Sequence, residues 1–461
     1  MKHTFKAAPI ITILGLLLSG CGRAEAPLAV SATLTPNGTL ARDAVPITLP
    51  VLDALFGDET FKAALKSKLQ LTDDQIKELR KISGAAATKF RPSNAENQSG
   101  SAEAARQNAI DAIRGVIGPD KSDQLMALAR ERWNKGDASE AAAVKGAEPA
   151  MLPGPNAVPA DTRIVVNIPA FRMDVFANGS LIKSYKVGIG YPQFPLPQGA
   201  RKAEMIIFNP TWTQPNESWA SNPGEIVPAG SKGNPLGPIK IPIGAPSLIH
   251  GGKALEKIGN FASHGCVGMT NSQVKDFAKV LAQASHTDLT EDTMSAYLKK
   301  RTRTQVVKLG QLVPVELRYE TIVFEDGKLR IYRDVYDQNT NTEENLRAVF
   351  SANGASFESL GAAEKAQVLE ALNLMSRHPQ KLPTPTPTPK PANDALQNSA
   401  NTTVSAVDKK AEAERQKKLR SQREFVVEIV ELAGKGYPAA VNLDSGAGTQ
   451  AIATATATKK P

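Results

Sequence analysis

Cys266 lies in a segment whose residue types could support nucleophilic chemistry. It follows His264 by two residues and His250 by sixteen, and the chain has only one other cysteine, Cys21. A thiol attacks an amide slowly until a nearby base raises its thiolate fraction, and an imidazole within hydrogen-bond reach does this. A lone cysteine is more often a small buried hydrophobe, but the neighbouring histidines favour a nucleophile here.

Two histidines and a cysteine could also bind a metal ion. A zinc site needs a third or fourth ligand, and no Cys-x-x-Cys or His-x-x-x-His pattern accompanies these residues. The sequence therefore predicts no metal and no cofactor. Of the remaining histidines, we interpret His286 and His378 as structural.

The first 21 residues predict a cleaved signal peptide that places the protein in the cell envelope. Three basic residues precede an apolar core over 10–18, which is too short to span a bilayer. The ending Leu18-Ser19-Gly20-Cys21 resembles the bacterial lipobox, which implies that Cys21 is lipidated and anchors the chain to a membrane. Gly22, rather than Asp, suggests the outer membrane and a periplasm-facing location by the same resemblance. The alternative is an ordinary signal peptide that contains a cysteine.

The composition indicates several modules rather than one continuous core. Only 41% of the 461 residues are hydrophobic and 5% are aromatic. The net charge of +9, of which Lys2 and Lys6 leave with the leader, favours anionic envelope polymers or lipid head groups. Nucleic acid is not an expected partner outside the cytoplasm.

The predicted modules are a lipoprotein signal peptide (1–21), a linker (22–49), a helical domain (50–136), a linker (137–160), a β-rich domain (161–340), a helical segment (341–381), a Pro/Thr linker (382–393) and a basic helix with a disordered tail (394–461).

Residues 50–136 predict helices. Apolar residues recur there at helical spacing, which is typical of a helical hairpin or a small bundle. The run Leu71-Thr72-Asp73-Asp74-Gln75 resembles the Leu-Thr-x-x-Gln signature of periplasmic helical proteins of the Spy/CpxP type. The same residues are also an ordinary helix start.

The periodicity changes after residue 160. Short segments rich in β-branched residues, with Asn178-Gly179 as a turn, predict antiparallel strands over 163–168, 172–176, 180–188 and 204–208. Prolines and glycines are frequent in 191–246, which predicts loops and short edge strands around a cleft.

Toward the end of the chain, 409–423 is basic and helix-forming and leads into an apolar stretch over 425–432. We interpret this end as a solvated helix with a disordered tail, or alternatively as a surface that docks on peptidoglycan or lipid.

Ordered motifs through this β-rich region resemble the L,D-transpeptidase (YkuD-type) catalytic domain. The resemblance covers about 161–340, and it implies a mixed sheet with short helices within a multidomain α+β protein. The motifs that carry it include Tyr185-Lys-Val-Gly-Ile-Gly190, Asn209-Pro-Thr-Trp212, Gly233-Asn-Pro-Leu-Gly237, Ile249-His-Gly251 and Ser263-His-Gly-Cys-Val-Gly-Met-Thr-Asn271.

The resemblance implies a role for each residue of the site. Cys266 is the expected nucleophile, and His250 is its expected general base, oriented by the backbone carbonyl of Gly251. His264 is expected to line the site, and Gly265 to let the chain turn and present the sulfur. The amides of Gly265 and Cys266 could hold the oxyanion of the tetrahedral intermediate.

Further residues are expected to shape the site. Ser263, Gly259 and Asn271 are interpreted as shaping residues, and Trp212 and Asn271 are candidate substrate contacts, although Trp212 is also consistent with a core position. Two motifs depart from the family pattern. Members commonly carry Arg two residues after the nucleophile, where this chain has Gly268, and the usual Thr-Pro-x-Gly turn is Leu196-Pro-Gln-Gly199 here.

The predicted function is peptidoglycan L,D-transpeptidation through a thioester acyl-enzyme. The enzyme would cleave the bond before the terminal D-Ala of a tetrapeptide stem and form a 3→3 cross-link with a neighbouring stem. The resemblance also implies inhibition by carbapenems. The alternatives are an L,D-carboxypeptidase that uses water as acceptor, a non-enzymatic peptidoglycan-binding lipoprotein, and a cysteine peptidase acting on protein. The sequence leaves the oligomeric state open.

Overall fold

The computed structural model describes residues 45–91, 100–135, 149–376 and 422–443. The predicted signal peptide with Cys21, the Pro/Thr linker and nearly all of the predicted basic helix lie outside these ranges. Within them, no helix combines the length and the apolar character that a membrane crossing requires.

A helical bundle opens the described chain, as the apolar periodicity predicts. Thr48, Asp58, Thr72 and Ser101 begin helices because their side chains accept a backbone N–H from the first turn. The bundle consists of α1 (Leu49–Leu55), α2 (Glu59–Ser67), α3 (Asp73–Thr88), α4 (Ala102–Ile117) and α5 (Pro119–Lys135).

Two sequence features of this bundle have physical explanations. Thr72 and Gln75 exchange hydrogen bonds of 3.2 and 3.0 Å with each other's backbone N–H, so the Leu-Thr-x-x-Gln run acts as a capping box. The relation to Spy/CpxP proteins stays a prediction. The bundle also begins earlier than its predicted boundary, because Val45 and Ile47 are fully buried in its core. The end of the predicted 22–49 linker is thus part of the bundle.

The central domain is an eight-stranded mixed sheet with smaller strand pairs beside it. The strand order is β11-β9-β8-β5-β12-β1-β2-β3. Two helices, α6 (Asn271–Ala284) and α7 (Glu291–Lys299), follow its last short strand. Its strands and those of the small pairs are β1 (Arg163–Asn167), β2 (Arg172–Ala177), β3 (Ser180–Lys186), β4 (Ile189–Gly190), β5 (Gly199–Phe208), β6 (Trp212–Thr213), β7 (Ile226–Val227), β8 (Ile239–Pro242), β9 (Leu248–His250), β10 (Phe261–Ser263), β11 (Val267–Gly268) and β12 (Gln305–Arg318).

The long strand β12 organises this sheet. It runs antiparallel to β5 on one side and parallel to β1 on the other, and β1, β2 and β3 form the predicted antiparallel meander. The sheet buries apolar residues such as Val166, Ile206 and Val315 against Phe277 and Leu281 of α6. The prediction of N-terminal helices followed by a mixed sheet with short helices is confirmed.

A third core forms after residue 320, where the sequence predicts a helical segment and a tail. Strands β13 (Ile322–Glu325), β14 (Lys328–Tyr332) and β15 (Glu424–Glu428) make an antiparallel sheet covered by α8 (Glu343–Ala352) and α9 (Ala362–Met375). The prediction of a helical or disordered tail is therefore wrong for 422–443. The β-branched residues of β15 fit a strand, and the strand completes the open edge of β14.

Buried ion pairs join this third core to the central sheet. Glu325 accepts hydrogen bonds from Arg172 on β2 and from Arg330 on β14, the latter at 3.0 Å. Arg172 also pairs with Asp174 at 2.8 Å, and the Tyr437 hydroxyl donates to Asp174 at 3.1 Å. Each charged group at this depth has an opposite charge within reach, which offsets part of the cost of its burial.

The predicted 137–160 linker is also partly structured. Asn156 is 4% exposed; its side chain donates to the carbonyl of Ile322 at 3.0 Å and accepts from the amide of Phe324 at 2.9 Å. Residues 149–160 thus pack on the central and third cores. The side-chain amide of Asn156 makes hydrogen bonds to Ile322 and Phe324 that a neighbouring strand would otherwise make.

Candidate active site

His250 ends strand β9 and is the buried imidazole of the site. Its side chain is 4% exposed, and Nδ1 lies 2.7 Å from the carbonyl oxygen of Gly251. Because a carbonyl only accepts, Nδ1 carries the proton of a neutral ring, and the lone pair is on Nε2. Burial, assisted by the charge of Lys253, lowers the pKa of His250 to about 3. The ring is therefore neutral near pH 7 and able to take a proton.

Cys266 lies in the turn between β10 and β11, beside the strand that carries His250. β11 runs parallel to β9 with Gly268 opposite His250. Cys266 is partly exposed, and its Sγ is 3.9 Å from the carbonyl oxygen of Pro246. Desolvation raises the pKa of the thiol, against a backbone hydrogen bond and the charge of Lys253, which lower it. The resting pair is a neutral thiol and a neutral imidazole.

The structure brings Cys266 and His250 to neighbouring strands without a hydrogen bond between their side chains. Such bonds are often long in ligand-free active sites and tighten when substrate binds. The tautomer of His250 is already the one that a general base requires.

Ser263 and Gly265 shape the turn that presents the nucleophile. The Ser263 hydroxyl donates to the carbonyl of Cys266 at 2.6 Å and accepts from its amide at 2.9 Å. Gly265 has a φ of 95°, in the region that favours glycine, and its carbonyl accepts from Ser247 at 2.8 Å. The expectation that the Cys266 amide faces the oxyanion is not met, because Ser263 already binds that amide. No acceptor among the described residues takes the Gly265 amide, which remains available.

His264 packs in an aromatic cluster. Its ring stacks on Trp219 with centroids 3.9 Å apart, and it contacts Phe194 edge-on. Nε2 lies 3.3 Å from the carbonyl of Phe90 at the end of the helical bundle. Burial lowers the pKa of His264 to about 4. These contacts pack the bundle against the loop that carries Cys266, and the expected role of His264 as a lining residue stays a prediction.

Asn271 and Trp212 lie at two different places around the site. Asn271 begins α6, and its Oδ1 accepts from the amide of Gly252 at 2.8 Å, so it holds the loop that follows His250. Trp212 pairs with Val227 at the cleft edge and packs against the aromatic cluster of His264. Neither contact is with the thiol, and a substrate role for these two residues stays a prediction.

Sequence reasoning missed Lys253. Its aliphatic stem covers Gly268, where a Cβ would lie 2.8 Å from Cγ and 3.0 Å from Cε of the lysine. Its backbone amide donates to the carbonyl of Met269 at 3.1 Å. Burial lowers the pKa of the Lys253 ammonium, which the thiol partly opposes. The absence of a side chain at Gly268 is the sequence signal that a residue elsewhere fills this space.

The helical bundle forms one wall of the site, which the sequence does not reveal. Trp133 of α5 donates from Nε1 to the carbonyl of Pro195 at 3.0 Å, and its ring lies 3.4 Å from the position of a Cβ on Gly265. Asp53 of α1 accepts from the amide and the hydroxyl of Ser218 at 2.7 and 2.9 Å. The bundle is thus fixed to the loops on either side of the nucleophile.

A cavity of about 140 Å³ lies between the bundle and the catalytic loop. The carbonyl oxygen of Pro246, one of its lining residues, lies 3.9 Å from the Cys266 sulfur. The cavity is lined by Ala54, Leu55, Gly57, Asp58, Arg132, Trp133, Glu217, Ala245 and Pro246. Elsewhere in the described residues, no group of three or more His, Cys, Asp or Glu side chains is placed to hold a metal ion.

A comparison with protein families identifies the domain that carries the site. Residues 161–307 match the family model of YkuD, the L,D-transpeptidase catalytic domain. These residues form a YkuD-type domain. The match ends inside β12, so the third core and the helical bundle lie outside it. Cys266 and His250 both lie inside the YkuD domain.

Individual proteins show the same similarity at low identity. YqjB of Bacillus subtilis (strain 168), provisionally classed as an L,D-transpeptidase, is 26% identical over 148 residues, which is 31% of this chain and 78% of that protein. The L,D-transpeptidase catalytic domain from E. faecium is 17% identical, with 35% of this chain and 100% of that one covered and a TM-score of 0.24. An L,D-transpeptidase from Mycobacterium tuberculosis H37Rv is 15% identical, with 36% and 59% covered and a TM-score of 0.21.

Proposed function

We propose that this protein is a peptidoglycan L,D-transpeptidase with Cys266 as nucleophile and His250 as general base. The observation that carries the proposal is the neutral tautomer of His250, which places a basic Nε2 on the strand beside the only thiol of the described chain. The match of residues 161–307 to the YkuD family supports the reaction class.

The first half-reaction would release D-alanine. Sγ of Cys266 attacks the carbonyl carbon of the amide before the terminal D-Ala, and its proton passes to Nε2 of His250. The free amide of Gly265 faces the developing oxyanion. The C–N bond then breaks, the imidazolium returns the proton to the departing amine, and a thioester remains on Cys266.

The second half-reaction would form the cross-link. The side-chain amine of a neighbouring stem attacks the thioester carbonyl, His250 takes its proton, and the C–S bond breaks. The thiol is restored and a 3→3 amide is formed. One amide replaces another, so the chemistry needs no external energy source and no cofactor.

A neutral resting pair has a consequence for activation. Because burial keeps His250 unprotonated and raises the pKa of the Cys266 thiol, the proton would move as the sulfur attacks, by general-base catalysis. A preformed thiolate–imidazolium pair is not favoured by this environment.

The test compares residues 22–461 and its Cys266→Ala variant on a disaccharide-tetrapeptide. Mass spectrometry should detect dimers that lack one D-alanine with the unmodified protein only, with a loss of at least about 1000-fold in the variant, the scale expected on removal of a catalytic nucleophile. A carbapenem should leave a covalent adduct on Cys266. Tripeptide as the only product would indicate a carboxypeptidase, and binding without turnover would indicate a wall-binding protein.

A further inference from the structure

The cavity beside Cys266 has a size and a charge that suit one part of the reaction. Its volume of about 140 Å³ is close to that of the engineered cavity of about 150 Å³ that holds a benzene molecule. An alkyl side chain of a stem peptide fits a space of this size. Pro246 lines the cavity and its carbonyl oxygen lies 3.9 Å from the Cys266 sulfur, and the charge of Glu217, another lining residue, acts on the thiol. A group bound in the cavity is therefore within electrostatic reach of Cys266.

The lining carries one carboxyl group that is not matched by a cation. Arg132 is neutralised by Asp58, which receives its guanidinium directly. Glu217 accepts from Trp219 Nε1 at 2.5 Å through Oε2, and no described lysine or arginine forms an ion pair with it. The lining therefore has an excess negative charge whenever Glu217 is ionised.

We propose that this cavity is the acceptor subsite, in which Glu217 binds the side-chain ammonium group of the incoming stem peptide. This inference rests on the proposed transpeptidase function. Ionised Glu217 would repel the carboxylate terminus of a donor stem peptide. It would attract an ammonium ion, which supplies the positive charge that Glu217 lacks as a partner. The helical bundle then has a role in specificity, because α1 and α5 supply the opposite wall.

The same carboxylate can free the amine for attack. The ammonium transfers one proton to Glu217, the resulting amine attacks the thioester, and Glu217 later returns its proton to solvent. Burial, followed by the charge of Asp53, raises the pKa of Glu217 to about 7 despite the hydrogen bond from Trp219. This pKa lies closer to that of an alkylamine than the pKa of an ordinary carboxyl group does. Proton transfer from the ammonium to Glu217 is therefore less unfavourable.

Glu217→Gln tests the proposal because it removes the charge and keeps an acceptor for Trp219. With disaccharide-tetrapeptide, acylation of Cys266 measured by intact mass should not fall, because loss of the Glu217 charge lowers the pKa of the thiol, and the ratio of dimer to tripeptide should fall at least about ten-fold. Glu225→Gln, a control in the following loop where Glu225 binds Gln214 and Asn222, should leave the ratio unchanged. An unchanged ratio in Glu217→Gln would overturn the proposal.

A second measurement is independent of how the variant folds. In the unmodified protein, butylammonium ion should suppress dimer formation, and 1-butanol at equal concentration should not. Equal suppression by the two would contradict an ammonium site. Failure of the transpeptidase function itself is distinguishable, since then no acyl-enzyme forms on Cys266 in the unmodified protein.

Discussion

The position of Lys253 changes the interpretation of Cys266, the candidate nucleophile, more than that of any other residue. Its stem occupies the space over Gly268, and its ammonium lowers the pKa of Cys266 against the effect of burial. It also lowers the pKa of His250. One cation thus favours the thiolate, which assists attack by sulfur, and it keeps the imidazole neutral while weakening it as a proton acceptor.

Lys253→Met should change the pH dependence of Cys266 reactivity. Loss of the positive charge raises the thiol pKa, so the curve of alkylation rate by iodoacetamide should move to higher pH. If the thiol pKa rises by one, the thiolate fraction and hence the rate at pH 8 should fall about ten-fold. Lys257→Met, at an exposed position nearby, is the matched control. Superimposable curves for the unmodified protein and Lys253→Met would exclude this electrostatic role.

The candidate nucleophile and base could be proposed from the sequence, whereas the residues that surround them could not. Cys266 and His250 stand out because a single thiol lies near histidines at a recognisable spacing. Lys253 is visible only when Gly268 and the loop after His250 meet in three dimensions. His264 has the same sequence context as a catalytic residue, but the groups that bind it come from distant positions, Phe90 and Trp219.

At the scale of elements, local patterns predict the helices and the first strands, whereas β15 depends on a distant partner. Caps and 3.6-residue periodicity are local, so α1 to α5 follow from their own residues. The strand Glu424–Glu428 forms because β14, almost a hundred residues earlier, offers an unpaired edge. The sequence analysis extended the helix-forming character of 409–423 beyond that segment. In Glu424–Glu428, pairing with the edge of β14 decides the structure instead.

Glu325→Gln should destabilise the junction between the central sheet and the third core. The change leaves Arg172 and Arg330 with one fewer buried partner, at a cost of about 3 kcal/mol. The thermal unfolding midpoint should fall by several degrees. Glu343→Gln, which weakens an exposed pair with Arg347, should leave the midpoint nearly unchanged, because exposed ion pairs contribute little to stability. Equal midpoints for the two variants would count against the junction.

At the scale of the whole molecule, the helical bundle and the YkuD domain share one active-site cleft. Trp133 and Asp53 come from the bundle and contact the loops around Cys266, Gly265 included. The bundle is therefore in direct contact with the loops around Cys266 and is not a detached spacer.

Trp133→Ala should increase the accessibility of Cys266. The substitution removes the ring over Gly265 and the hydrogen bond to Pro195, so modification by a bulky maleimide should become at least several-fold faster. Trp133→Phe keeps a ring and loses only the hydrogen bond, and it should have a smaller effect. If Trp133→Ala reacts at the rate of the unmodified protein, the bundle does not control entry.

The contacts of Arg333 allow the number of residues between α9 and β15 to vary. Its guanidinium donates to the carbonyls of Leu374 and Gln422 at 3.3 and 3.0 Å, one near the end of α9 and the other just before β15. Arg333 thus ties the end of α9 to the residues that lead into β15. Doubling the length of a flexible connection costs only about 0.6 kcal/mol of closure entropy, so a change in the number of residues between these two carbonyls should leave the register of β15 unchanged.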